Sequence, residues 1–166
     1  MQLNLVAPIN KVSYGYASIN ILKELDKLGV EVSLFPLNLE RIDVDSEEDK
    51  AIVQKCMNYA KFYNVNAPSL KIWHQNELSL IGNGKKFALS FWEMDRFDQL
   101  ELHHLNSVDH VLVTSEWGKE ILQSAGIETV DVIPLGVDRN VFKTDLPDNA
   151  EIIKLFKSPS AFKVHL

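Results

Sequence analysis

A single cysteine, Cys56, in a chain of 166 residues excludes an internal disulfide. Its place in the apolar stripe of a predicted helix makes it a buried, inert thiol rather than a nucleophile. Long hydrophobic runs are also missing. None approaches the roughly 20 residues that span a bilayer. The opening MQLNLVAPIN lacks the basic head and apolar centre of a signal peptide. These absences lead to the expectation of a cytoplasmic protein without a transmembrane segment. Positive charge is in deficit: 17 Lys and Arg against 23 Asp and Glu leave a net charge of −6. That argues against nucleic acid or an anionic membrane as the main partner. Glycine is sparse, and no G-x-G-x-x-G occurs, so the dinucleotide fingerprint of a dehydrogenase or epimerase is absent. No repeat or low-complexity segment is found. What remains is 46% hydrophobic, enough for one good core.

In chain order the pattern alternates between two periods. Residues 3–7 read as a strand broken at Pro8. A helix follows from near Tyr14, with Ala17, Ile21, Leu22, Leu25 and Leu28 as its buried face and Gly29 as its stop. Residues 30–35 form the next strand. Ser46 caps an acidic helix start at Glu47, Glu48 and Asp49, with Ile52, Val53, Cys56, Met57 and Ala60 on one face. Residues 69–73 and 87–91 read as buried strands, 97–107 as a helix, and 75–85 carries no clear period. Residues 110–113 form a strand leading to Ser115 and Glu116, a cap and a first-turn acid. Trp117, Ile121, Leu122 and Ala125 then make an apolar stripe, ended by Gly126. Residues 130–133 are a further strand. Strand–helix–strand units of this kind predict an α/β, doubly wound, mainly parallel sheet with helices on both faces. Past Phe142 the pattern predicts a short helix at 150–156 and the start of a strand at 161–166.

The stretch VTSEWGKEILQSAGI followed by VDVIPLGVDRNVF resembles the end of the first, Rossmann-like domain of GT-B-fold, family-4 retaining glycosyltransferases. Pro134, Gly136, Val137, Asp138 and Phe142 fall at that family's V-I-P-x-G-V-D-x-x-x-F spacing. The resemblance implies an acceptor-side domain over 1–142, with 143–166 as a linker into a missing donor-binding domain. It implies a nucleotide sugar as co-substrate, a sugar or lipid-linked acceptor, no cofactor and no metal. The chain is accordingly expected to be a truncated, inactive fragment that forms a homodimer through apolar residues such as Leu135, Val137 and Phe142. Other readings are a stand-alone Rossmann-like binding module or a different nucleotide-sugar enzyme.

Candidate site residues follow predicted strands, since ligands bind at the carboxyl ends of parallel strands. The loop Ser13, Tyr14, Gly15, Tyr16 offers backbone amides and a glycine for a donor diphosphate, or a glycine that only permits a turn. His74 either faces the cleft or bonds a nearby carbonyl. Glu93 stands where many family members have a histidine, which implies a catalytic contact with the transferred sugar; the alternative is a pair with Arg96. Trp92 offers a ring face to a pyranose. Ser115 and Glu116 are substrate contacts or simply a cap and a helix-dipole partner, and Gly136 and Asp138 enter through the motif. The pair Asp43 and Asp45 matches a metal-binding D-x-D, but the capped acidic helix start explains it without a metal. His103, His104 and His110 lack ligand spacing.

Overall fold

The computed structural model describes residues 1–137, in which six strands alternate with helices and loops. The strands are β1 (Gln2–Ala7), β2 (Glu31–Pro36), β3 (Ser69–Ile72), β4 (Lys86–Ser90), β5 (His110–Val113) and β6 (Val130–Val132). They form one sheet in the order β2-β1-β3-β4-β5-β6, and every neighbouring pair is parallel. Helix α1 (Ser13–Lys27) joins β1 to β2, and α2 (Glu47–Tyr59) lies between β2 and β3. Helix α3 (Gln99–Asn106) lies between β4 and β5, and α4 (Glu116–Ser124) joins β5 to β6. Met1–Leu135 form a compact unit of their own. The fold is the expected α/β, Rossmann-like sheet. The boundary expected at Phe142, and the helix and strand expected after it, lie outside the described residues.

Strand alternation sorts the core into two layers. Leu89 shares a core with Leu5, Leu34 and Ile72, with Leu22 of α1, and with Val53 and Cys56 of α2. Its neighbour Ala88 points the other way, into a core with Val111, Val130, Leu105 of α3 and Leu122 of α4. Helices therefore cover both faces. Leu22 and Leu122 are fully buried, and burial of each is worth about 1.5–3 kcal/mol.

The helix ends follow local chemistry. Gly29 (φ 71°) and Gly126 (φ 88°) take the left-handed conformation. Each lets the next amide reach back, Val30 to the Leu25 carbonyl and Ile127 to the Leu122 carbonyl, both at 3.0 Å. Ser46 accepts from the Asp49 amide at 3.0 Å. Asp98 and Glu101 form a reciprocal capping box, so α3 starts at Gln99, two residues later than the periodicity predicts. Two expected faces shift. Leu28 is 77% exposed, while Ser18 and Ile19 are buried; Trp117 is 46% exposed, and Gly118 with Leu122 makes the buried side of α4.

The aperiodic segment 75–85 covers the sheet with carbonyl groups as well as with Leu78. The Ile81 carbonyl accepts from Ser69 Oγ at 2.7 Å, and the Ser79 carbonyl from Lys71 Nζ at 3.4 Å. Lys71 is only 3% exposed, with the mostly exposed Glu77 carboxylate 3.6 Å away. Burial pulls its ammonium below the ordinary lysine range, against the smaller opposing pull of Glu77. Between that lowered folded value and the unfolded value of 10.5, the unfolded chain holds a proton the folded chain has released, so stability rises with pH there. At neutral pH the charged Lys71 is therefore a cost. Lys71→Met should raise stability by about 1 kcal/mol at pH 7. The advantage over wild type should shrink toward pH 10. Urea midpoints at the two pH values check this; a destabilised variant at neutral pH would contradict it.

Cys56 is 1% exposed. Burial, aided by Asp26, pushes its thiol up to about 11, so no thiolate is available at neutral pH. Among the described residues, no helix is long and apolar enough to cross a membrane.

Candidate functional site

The strand order creates the site. From β1 the chain goes to one side for β2 and to the other for β3, so the connections beyond β1 and β3 diverge. This is the switch point at which doubly wound sheets open a crevice. A cavity of about 260 Å³ lies here, lined by Pro8, Ile9 and Asn10 after β1, Leu37, Asn38 and Arg41 after β2, and Trp73 and Glu77 after β3. Backbone bonds tie two of its walls together: the Leu37 amide donates to the Ala7 carbonyl and the Asp43 amide to the Ile9 carbonyl, each at 3.0 Å.

Beside the crevice stands an aromatic cluster built on Tyr14. Its ring stacks on Phe91 (centroids 4.2 Å apart, planes 5° apart) and meets His74 edge-on at 4.8 Å and Trp73 at 5.7 Å. The phenol oxygen accepts from the Phe91 amide at 2.8 Å and donates to the Phe91 carbonyl at 3.3 Å. Tyr14 is 6% exposed. Burial raises its phenol above the ordinary value and the Glu93 carboxylate adds to the rise, against the bond to Phe91. The residue thus fastens the start of α1 to the exit of β4.

The parallel sheet carries Ser13, His74, Glu93 and Ser115 to its carboxyl edge, because they follow β1, β3, β4 and β5. Tyr14 and His74 are in contact. Glu93 is exposed, feels Tyr14 electrostatically, and makes no ion pair with Arg96. Trp92 belongs to the other neighbourhood: it packs edge-on against Phe97 at 5.4 Å and lies over Gly118, where a Cβ would come within 2.8 Å of its Cδ1. It is half-buried and packs against the core beneath α4. Ser115 caps α4, its hydroxyl accepting from the Gly118 amide at 3.1 Å, with exposed Glu116 in the first turn. Gly136 has open space around it, and Asp138 lies outside the described residues.

In the β1–α1 loop the glycine of the expected phosphate cradle lies against Asn10. A Cβ on Gly15 would meet the Asn10 carbonyl at 2.6 Å and the Asn10 side chain closer still, and the Gly15 amide already donates to the Val12 carbonyl at 2.8 Å. The close approach that needs a glycine is made by Asn10. Ser13 has φ 41°, a left-handed conformation that costs a side-chain-bearing residue energy. Ser13→Gly should relieve about 1–2 kcal/mol of strain against roughly 0.5–1 kcal/mol of added unfolded-state entropy. A small rise in melting temperature is the expected result; a fall would mean that the Ser13 side chain stabilises the loop.

Both carboxylates of the D-x-D pair lie against Lys11. Lys11 Nζ lies 2.6 Å from Asp45 and 3.2 Å from Asp43, and those two carboxylates hold its ammonium above the ordinary range. Among the described residues, no group of three or more His, Cys, Asp or Glu side chains could hold a metal ion. Sequence reasoning missed Asn10, Asn38, Arg41, Trp73 and Glu77 as cavity residues. The asparagines carried a signal: both accept from the amide two residues on, at 3.0 Å, in the local turn that Asn favours. In comparison with known proteins, the chain matches no family model, no curated protein and no solved structure.

Proposed function

We propose that this chain is the acceptor-side domain of a retaining glycosyltransferase that works with a donor-binding domain. The observation that carries the reading is the shared edge. Tyr14, His74 and Glu93 collect at the carboxyl ends of parallel strands, and VIPLGVD begins at the end of β6 on that same edge. In this reading Glu93 holds hydroxyls of the transferred sugar through charge-assisted hydrogen bonds. His74 shapes the acceptor's approach beside Tyr14. The leaving diphosphate must be neutralised in the transition state. The Gly15 amide, in the first turn of α1, already donates to the Val12 carbonyl, and in this reading the donor domain meets that charge. Calorimetry with UDP-glucose and GDP-mannose tests the division of labour. The chain alone should bind either one no tighter than about millimolar, roughly −4 kcal/mol. A fusion to a family-4 donor domain should bind and transfer sugar, and Glu93→Ala should lower that transfer. Micromolar binding with turnover by the chain alone would mean a complete active site and overturn the reading.

A further inference from the structure

Among the side chains that line the cavity at the switch point, the donors Asn10, Asn38 and Arg41 outnumber the one carboxylate, Glu77. Asn10 and Asn38 each use the side-chain oxygen to accept a local backbone amide, from Val12 and Glu40 respectively. That fixes the orientation of both amides and leaves both Nδ2 groups free of partners among the described residues. Arg41, on the short 3-10 turn Leu39–Arg41, makes no ion pair or side-chain hydrogen bond among the described residues. The one carboxylate in the lining, Glu77, lies beside Lys71. Pro8, Ile9, Leu37 and Trp73 supply an apolar wall. A volume of about 260 Å³ is small beside the roughly 300–1,000 Å³ of drug-sized sites.

We propose that this cavity binds a small anionic sugar, its phosphate or carboxylate paired with Arg41, its ring oxygens accepting from Asn10 and Asn38, and its ring against Trp73. Side-chain donors outnumber the single carboxylate in the lining, which favours an oxygen-rich ligand, and an unpaired guanidinium selects an oxyanion, which it grips bidentately. The apolar wall selects a ring over a bare ion. The inference does not depend on the glycosyltransferase reading, because it concerns binding and no transfer.

The test is a side-chain amide and indole NMR titration of the whole chain with glucose 6-phosphate, glucuronate, glucose and inorganic phosphate. At least one of the two anionic sugars should shift the Asn10, Asn38 and Trp73 side-chain signals saturably, and which binds tighter distinguishes phosphate from carboxylate as the anion. Arg41→Gln should weaken that binding about tenfold or more, as loss of a charge-assisted hydrogen bond demands. Lys61→Gln, an exposed cation past the end of α2, should leave it unchanged. Arg41 is exposed, so the variant should keep the wild-type spectrum elsewhere. The proposal is overturned if neither anionic sugar shifts these signals up to about 10 mM. It is equally overturned if neutral glucose or bare phosphate binds as tightly, or if Arg41→Gln changes nothing.

Discussion

Gly15→Ala should destabilise the protein by about 2 kcal/mol, although the same change inside an exposed helix stabilises by up to about 1 kcal/mol. Gly15 lies in the first turn of α1, where propensity alone favours alanine. Against that gain stands overlap: the new Cβ would fall 2.6 Å from the Asn10 carbonyl and nearer still to the Asn10 side chain. A backbone oxygen cannot swing aside as a flexible side chain can. The Asn10 side chain is also held, by the Val12 amide at 3.0 Å. The β1–α1 loop must therefore shift, and overpacking of this kind typically costs about 1–3 kcal/mol. Relieving the side-chain part of the overlap with Asn10→Ala should make the two changes non-additive, with a coupling of about 1 kcal/mol in a double-mutant cycle. Urea denaturation of the four proteins measures it. A Gly15→Ala variant as stable as wild type would show that the loop gives way freely, and that Asn10 is not fixed against the cavity.

Gly15 illustrates what the sequence tells about this chain and what it does not. That a glycine is needed at the start of α1 is legible from the loop; what approaches it is not. The approaching group comes from five residues upstream, and only the folded loop brings it there. Strands and helix ends are legible because their causes are local: Gly29 and Gly126 take left-handed conformations, and Ser46 and Ser115 cap the amides three residues on. The Asp98–Glu101 box was equally local, so the later start of α3 could have been read from the D-x-x-E spacing. The segment 75–85 is different. It carries no period because its carbonyls serve Ser69 and Lys71 on a neighbouring strand. Trp117 is apolar but stands one position from the buried Gly118, so helix phase, which its hydrophobicity does not reveal, leaves it half-exposed. The edge position of His74 and Glu93 is legible because they follow strands, and parallel strands deliver their carboxyl ends to one edge. The cavity was not found, because its wall after β2 reaches the others only through the order β2-β1-β3. Sheet order is a tertiary property that strand periodicity leaves open.

Tyr14→Ala should be among the most damaging single changes at this edge, costing about 3–5 kcal/mol. Tyr14→Phe should cost only about 1–2 kcal/mol. The separation follows from the two jobs of the side chain. The ring is buried between Phe91, His74 and Trp73, with the Phe91 ring stacked at 4.2 Å, and its removal leaves a hole bordered by aromatic faces. The hydroxyl accepts from the Phe91 amide at 2.8 Å, and its removal leaves that part-buried amide unsatisfied. Denaturation midpoints give both costs, and near-ultraviolet circular dichroism reports the aromatic packing. Should the two variants lie within about 0.5 kcal/mol of one another, below the resolution needed to assign a packing role, the ring would not be the fastening between α1 and β4. Should Tyr14→Phe be neutral, the hydroxyl would be free to meet a ligand instead of Phe91. The expected ordering assigns Tyr14 to the frame that holds His74 and Trp73 in place. On that assignment, Tyr14→Phe acts on a bound sugar only through its neighbours, and its effect on affinity at the cavity should be smaller than that of Arg41→Gln.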